Sequence, residues 1–110
     1  MEINPLDQQV SVSGQMSVDD IASMIDLGVE VLVCNRPDNE APDQPAFSII
    51  QAAAQTAGLE FVNIPFAGGQ MQPEQAAEFA ELLKTGKRIH AYCRTGNRST
   101  QLWTAATQPA

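Results

Sequence analysis

Cys93, Arg98 and Ser99 stand close together in the run Ile89-His90-Ala91-Tyr92-Cys93-Arg94-Thr95-Gly96-Asn97-Arg98-Ser99-Thr100-Gln101-Leu102-Trp103. The spacing predicts a short buried strand over 89–92, a tight loop over 93–98 and a helix from Ser99. A strand–loop–helix unit of this kind aims successive backbone N–H groups, and the positive end of a helix, at one point. Cys93 begins the loop. Arg98 can turn back over the same point and offer its two-pronged guanidinium to an oxyanion. The chemistry implied is that of a low-pKa thiolate, Cys93, under an anion-binding wall made by Arg94, Thr95, Gly96, Asn97 and Ser99. A free cysteine that ends a strand often serves only as a small core residue. A core residue needs neither Gly96 nor Arg98 beside it, so the chemical reading is preferred.

Six earlier elements must position this loop. Gln9–Ser13 alternates and predicts an edge strand, after a loose polar lead-in over 1–9. Ser17 with Asp20 reads as a capping box before a helix carrying Val18, Ile21, Ala22 and Ile25, with Gly28 as its stop. Val29–Cys34 is almost wholly apolar or β-branched and predicts a central parallel strand. A helix from about Ala46 to Gly58, a strand over Leu59–Ile64, a helix from Pro73 and a last helix over Arg98–Ala106 complete the order, with Gln108-Pro109-Ala110 as a frayed tail. The expected fold class is α/β: three layers, α/β/α, around a small, mostly parallel sheet of four to five strands in a single domain with a core over about 10–107. Loops at the carboxyl ends of parallel strands carry sites. Arg36, Asp38 and Glu40, in the loop after the Val29–Cys34 strand, are therefore candidates to support Cys93. Cys34 ends that strand and is a candidate redox partner for Cys93, although packing as a small hydrophobe explains it more simply.

Thirteen acidic residues against six basic ones give a net charge of −7. That balance argues against nucleic acid or an anionic membrane surface as a partner. Lys84, Lys87, Arg88, Arg94 and Arg98 lie within or just before the loop, and are expected to focus a small anion there. For Lys84, Lys87 and Arg88 the plain alternative is an ordinary basic helix end and turn. Two cysteines make no disulfide framework, and no signal-like or membrane-length apolar run is present, so a reducing, cytoplasmic setting is expected. One histidine and two distant cysteines make no metal site, and no cofactor fingerprint occurs: the expected cofactor and metal are none.

Beyond the loop, Val12-Ser13-Gly14-Gln15, Leu27-Gly28, Asn35-Arg36-Pro37-Asp38-Asn39-Glu40, Gly58-Leu59, Ile64-Pro65 and Cys93-Arg94-Thr95-Gly96-Asn97-Arg98-Ser99 carry a family likeness. Together they resemble the small bacterial phosphatase-like family found fused to, or beside, beta-lactamase-like hydrolases. The resemblance implies a minimal version of the cysteine phosphatase fold, as in dual-specificity phosphatases. It implies either phosphatase or sulfur-transferase activity, and a hydrolase of sulfur metabolism as a partner. Two departures from the phosphatase pattern stand out. Cys93 to Arg98 is Cys-x4-Arg, one residue shorter than the phosphatase Cys-x5-Arg, and is similar to the Cys-Arg-x-Gly-x-Arg-Ser loop of rhodaneses. The stretch Pro65–Gln72, where the phosphatases keep an aspartic acid, holds no acid. Asp38 or Glu40 could substitute, though Arg36 with Glu40 suits bracing better.

The preferred expectation is a rhodanese-like sulfurtransferase. The Cys93 thiolate would take sulfur from a small anionic donor such as thiosulfate, Arg94 and Arg98 would steady the donor, and an acceptor would discharge the Cys93 persulfide. The alternative is hydrolysis of a phosphomonoester through a phosphocysteine, with Arg98 on the phosphoryl oxygens. A non-catalytic persulfide carrier or anion-binding module is the third reading. Donor, acceptor and oligomeric state are not legible.

Overall fold

The computed structural model describes residues 1–108, so the expected frayed tail lies mostly outside the described residues. Five strands form one sheet: β1 (Ile3–Pro5), β2 (Val10–Ser13), β3 (Val31–Cys34), β4 (Glu60–Asn63) and β5 (Ile89–Tyr92). Four helices connect them: α1 (Ile21–Asp26), α2 (Phe47–Thr56), α3 (Pro73–Lys84) and α4 (Asn97–Thr107). The spatial order is β1-β2-β5-β3-β4, parallel except for β1. β3 and β5 sit in the middle and are buried at every position, which is why both read as nearly continuous apolar runs.

Alternation along the strands sorts the core into two layers. Val10, Val12, Val31, Val33, Ile89 and Ala91 face Phe79 of α3 and Leu102 of α4. Leu32, Cys34 and Tyr92 face Met24 of α1 and Ile50 and Ala54 of α2. The three-layer expectation therefore holds, with the higher strand number. β2 is not an edge strand: β1 pairs with it antiparallel, from Ile3 opposite Ser13 to Pro5 opposite Ser11. The lead-in therefore contains a strand that its polarity and proline concealed. Proline is compatible with that strand because an outer strand leaves its N–H positions free of ladder bonds. The helix announced by Ser17 begins as a 3-10 turn over Val18–Asp20, with Ser17 N–H donating to Asp20 Oδ2 at 2.8 Å.

Two glycines let backbones meet at the carboxyl end of the sheet. A Cβ on Gly14 would lie 2.9 Å from the Arg94 carbonyl oxygen, and Gly96 has φ +95° with the Ser13 carbonyl 3.4 Å from where its Cβ would be. The chain after β2 is thus laid directly against the loop after β5. Gly14→Ala must push the Arg94 carbonyl away, an overpacking strain of about 1–3 kcal/mol. Its expected result is a lower denaturation midpoint together with slower alkylation of Cys93. An unchanged alkylation rate would mean that the loop keeps its shape without this contact.

Candidate active site

The loop after β5 closes around one sulfur. Cys93 is wholly buried, and its N–H donates to the Ser13 carbonyl at 3.4 Å. The Gly96 N–H donates to Cys93 Sγ at 3.1 Å. Burial by itself would push this thiol up. The N–H groups of Ser99, Thr95 and Gly96 and the Ser99 hydroxyl act against it, and the net shift is downward. The left-handed Gly96 precedes the first residue of α4, so the start of that helix also points its N–H groups into the loop.

Arg98 leans over the cradle and is fixed from outside. Its Nη1 donates to Glu40 Oε2 and its Nη2 to Glu40 Oε1, each at 2.8 Å, and Nη1 also donates to the Phe66 carbonyl at 3.0 Å. Its ionised form is favoured first by Glu40, against the opposing effect of burial, with the Cys93 thiolate adding to it. Arg36 approaches the same carboxylate, with Nε donating to Glu40 Oε1 at 3.0 Å and Nη1 to Gln15 Oε1 at 3.1 Å. Glu40 is thus shared between two guanidinium groups. Arg98 above all, against some desolvation and then with help from Arg36, holds its carboxyl below the usual range. The brace expected of Arg36 and Glu40 is present in this geometry. Asp38 is elsewhere employed: its Oδ1 accepts the Phe47 N–H at 2.8 Å and so caps α2.

The remaining sequence candidates divide. Thr95 and Ser99 are brought to the sulfur, whereas Asn97 is exposed with its N–H on Thr95 Oγ1 at 3.3 Å. The Arg94 side chain is exposed and makes no hydrogen bond or ion pair among the described residues. Lys84, Lys87 and Arg88 do not join the site. They precede β5 and sit at its amino end, with Lys84 on Glu81 at 2.9 Å, Lys87 on Glu60 at 3.3 Å and Arg88 on the Leu27 carbonyl at 2.8 Å. Cys93 is at the other end of the strand, roughly 16 Å from Arg88 at the usual rise per residue. Closeness in sequence misled because a strand carries the chain across the sheet. Two concavities, of about 410 and 490 Å³, also open at that amino end around Arg88, away from Cys93.

Cys34 stands opposite Tyr92 in the β3–β5 register, in the core layer of α1 and α2, and its thiol donates to the Arg36 carbonyl at 3.4 Å. Burial pushes this thiol up, so it is no second thiolate. The next residue, Asn35, turns to the other face. There its Oδ1 accepts the Ser99 hydroxyl at 2.8 Å and its Nδ2 donates to the Ile64 carbonyl at 2.9 Å. Cys93, which shares the Ser99 hydroxyl, is on that same face. The two thiols leave neighbouring strands on opposite sides, so a Cys34–Cys93 disulfide would require the backbone to move. Both are free in the structure.

Asn35, Gln15, Ser13 and His90 were not singled out as site residues by sequence. Ser13 Oγ donates to the Gly14 carbonyl at 2.9 Å. It therefore accepts from His90 Nε2 at 2.8 Å, which leaves Nδ1 to accept the Ser11 hydroxyl at 2.7 Å. His90 is a buried, neutral strut that braces the strand beside the loop. Its signal was weak but present: polar Ser11 and Ser13 alternate with Val10 and Val12, directly across from the only histidine in the chain.

A family model described as the phosphatase-like domain of beta-lactamase hydrolase-like protein matches residues 2–110. This chain belongs to that family. A beta-lactamase hydrolase-like protein of Xylella fastidiosa is 28% identical over 104 residues, which are 94% of this chain and 24% of that protein. The chain thus spans about a quarter of the length of the curated relatives it matches. A crystal structure of a Neisseria meningitidis protein, named provisionally as a phosphatase, superposes with a TM-score of 0.86 at 32% identity, over 99% of this chain and 81% of that one. A similarly named protein of Shewanella putrefaciens gives 0.82 at 19% identity, over 94% and 68%. The phosphotyrosine-bound TpbA of Pseudomonas aeruginosa gives 0.68 at 12% identity, over 91% and 58%, a likeness of fold. The fold is that of the cysteine phosphatases, and the family is described as phosphatase-like. Among the described residues no group of side chains is arranged to hold a metal, and no helix is long and apolar enough to cross a membrane.

Proposed function

We propose that this protein hydrolyses phosphomonoesters through a phosphocysteine at Cys93. The observation that carries this reading is the Cys93 sulfur at the floor of a ring of N–H donors, with the Arg98 guanidinium held above it by Glu40. In the first step the thiolate attacks phosphorus. An S–P bond forms, the P–O bond to the leaving group breaks, and its electron pair leaves with that oxygen. The loop N–H groups and Arg98 carry the charge on the non-bridging oxygens. Water then attacks the phosphocysteine, and the S–P electron pair returns to Cys93. Family membership and the Neisseria relative support phosphoryl over sulfur transfer. The small anionic substrate expected from the sequence is accordingly a phosphoester, and the neighbouring hydrolase region of the longer relatives is the proposed partner.

One observation favours sulfur instead: the Cys-x4-Arg loop is a residue short for three phosphoryl oxygens. Rapid quench of the protein with an aryl phosphate, followed by intact-mass measurement, separates the two. A burst of aryl alcohol and a gain of one phosphoryl group on Cys93 is the expected result. No phosphoryl adduct, but a gain of one sulfur atom from thiosulfate that cyanide discharges, would replace the proposal with the sulfurtransferase.

Arg98→Lys keeps a charge but loses the two-pronged grip on Glu40 and on the anion. It is expected to lower kcat/KM for an aryl phosphate by roughly 10²–10³-fold. A change smaller than about threefold in steady-state kinetics would remove Arg98 from the chemistry.

A further inference from the structure

A phosphate monoester of an ordinary alcohol needs a proton on its departing oxygen, and among the described residues the cradle offers no carboxylic acid to give one. Glu40 is clamped as the anion between Arg36 and Arg98. Asp38 is turned away to cap α2 through the Phe47 N–H. The loop over Pro65–Gln72, which follows β4 at the same end of the sheet, carries no acidic residue, and its neighbour Glu74 is an exposed residue in the first turn of α3. The Tyr92 phenol lies in the core layer of α1 and α2, across the sheet from the sulfur. The Ser99 hydroxyl is shared between Asn35 and the Cys93 sulfur. The loop itself carries a cation instead: Arg94, the residue after Cys93, is exposed and makes no side-chain hydrogen bond or ion pair among the described residues.

Resting on the phosphatase reading above, we propose that this site takes activated phosphates, whose leaving group departs as a stable anion, and not phosphate esters of alkyl alcohols. Aryl phosphates, phosphoanhydrides and acyl phosphates are the class. The electron pair of the broken P–O bond stays on the leaving oxygen, and no proton is transferred in that step. A phenol leaves with a conjugate-acid pKa of about 10. An alkoxide is about as basic as hydroxide, far more basic than a phenoxide, and stays bound. The unpaired Arg94 guanidinium, carried by the residue after Cys93, is free to meet the departing charge.

The experiment is a series of substituted phenyl phosphates, with an alkyl phosphate and acetyl phosphate added, assayed with the wild type, Cys93→Ala, Glu74→Gln and Arg94→Gln. The expected result is a Cys93-dependent kcat/KM that falls roughly tenfold per unit of leaving-group pKa, since nearly the full charge develops on the leaving oxygen. Glu74→Gln is expected to leave that slope unchanged. Arg94→Gln is expected to lower kcat/KM for acetyl phosphate several-fold. Cys93-dependent turnover with less than about threefold change per pKa unit means that an acid protonates the leaving group. That overturns the substrate class and leaves the phosphatase reading standing. A slope that steepens only in Glu74→Gln overturns it in the same way and names the acid. No Cys93-dependent turnover of any phosphate overturns both.

Discussion

Cys93→Ser is expected to reduce phosphate turnover by roughly 10⁴-fold or more, the scale seen when a nucleophile is removed from a cooperating site. The two side chains are nearly isosteric, so the loop should keep its shape. What changes is acidity. The cradle draws the thiol downward with the Ser99, Thr95 and Gly96 N–H groups and the Ser99 hydroxyl. The same donors act on a serine hydroxyl from far above the neutral range and leave it protonated. Anion binding depends on those N–H groups and on Arg98, not on sulfur. The variant should therefore bind phosphate with wild-type affinity while turnover is lost. Calorimetric titration beside a steady-state assay checks both halves. Residual activity within tenfold of wild type would show that Cys93 is not the nucleophile. For the wild type, kcat/KM should reach its plateau at a lower pH than a free thiol, with an ordinary value of 9.0, would allow.

The second large effect is on stability. Burial lowers the His90 pKa from 6.5 to about 4. Above pH 6.5 the ring is neutral in both folded and unfolded chains, so it contributes no pH dependence. Between 6.5 and 4 the unfolded chain binds a proton that the folded chain excludes, so stability falls as the pH falls. Below 4 both states carry the proton and the loss levels off. At about 1.4 kcal/mol per unit, the whole loss is about 3 kcal/mol. Urea denaturation from pH 7 to pH 4 should show it, and His90→Gln should flatten it. A wild-type midpoint constant across that window would mean that His90 is charged, or open to water, in the native state. The Glu40 carboxyl adds a loss of the same sign at lower pH: its depressed pKa stabilises above the ordinary carboxylate value, and that stabilisation fades as the pH falls through the folded value.

These residues also mark where the sequence could and could not be read. Cys93, Gly96, Arg98 and Ser99 were legible because a strand, a tight loop and a helix start fix their relative positions locally. β3 and β5 were legible because full burial leaves an apolar run. β1 was not, since an outer strand of three residues ending in proline has neither run nor alternation. Gln15 and Asn35 were not, because what makes them part of the site is contact across the sheet: Gln15 with Arg36, and Asn35 with Ser99 and Ile64. Lys84, Lys87 and Arg88 were assigned to the wrong end for the converse reason. They are near the loop in sequence and a strand's length from it in space. The preference for sulfur chemistry came from the short loop and from the missing acid over Pro65–Gln72, and the family relationship weighs against it.

The pairing of β2 with β5 sets Val10 opposite Ile89 and Ser13 opposite Tyr92. One wall of the cradle thus comes from the start of the described chain and the other from near its end. Closing so long a segment costs entropy that local contacts cannot offset, and topologies of this kind fold slowly. A chain emerging from the ribosome makes β2, β3 and β4 well before β5. Until β5 enters between β2 and β3, Ser13 and Gly14 have no loop to support, and Cys93 lacks the Gly96 and Ser99 donors that gather once α4 begins. The reactive thiolate is therefore made only once β5 and the start of α4 are in place, and a chain that stops short of α4 has no sulfur activated for oxidation or for premature chemistry.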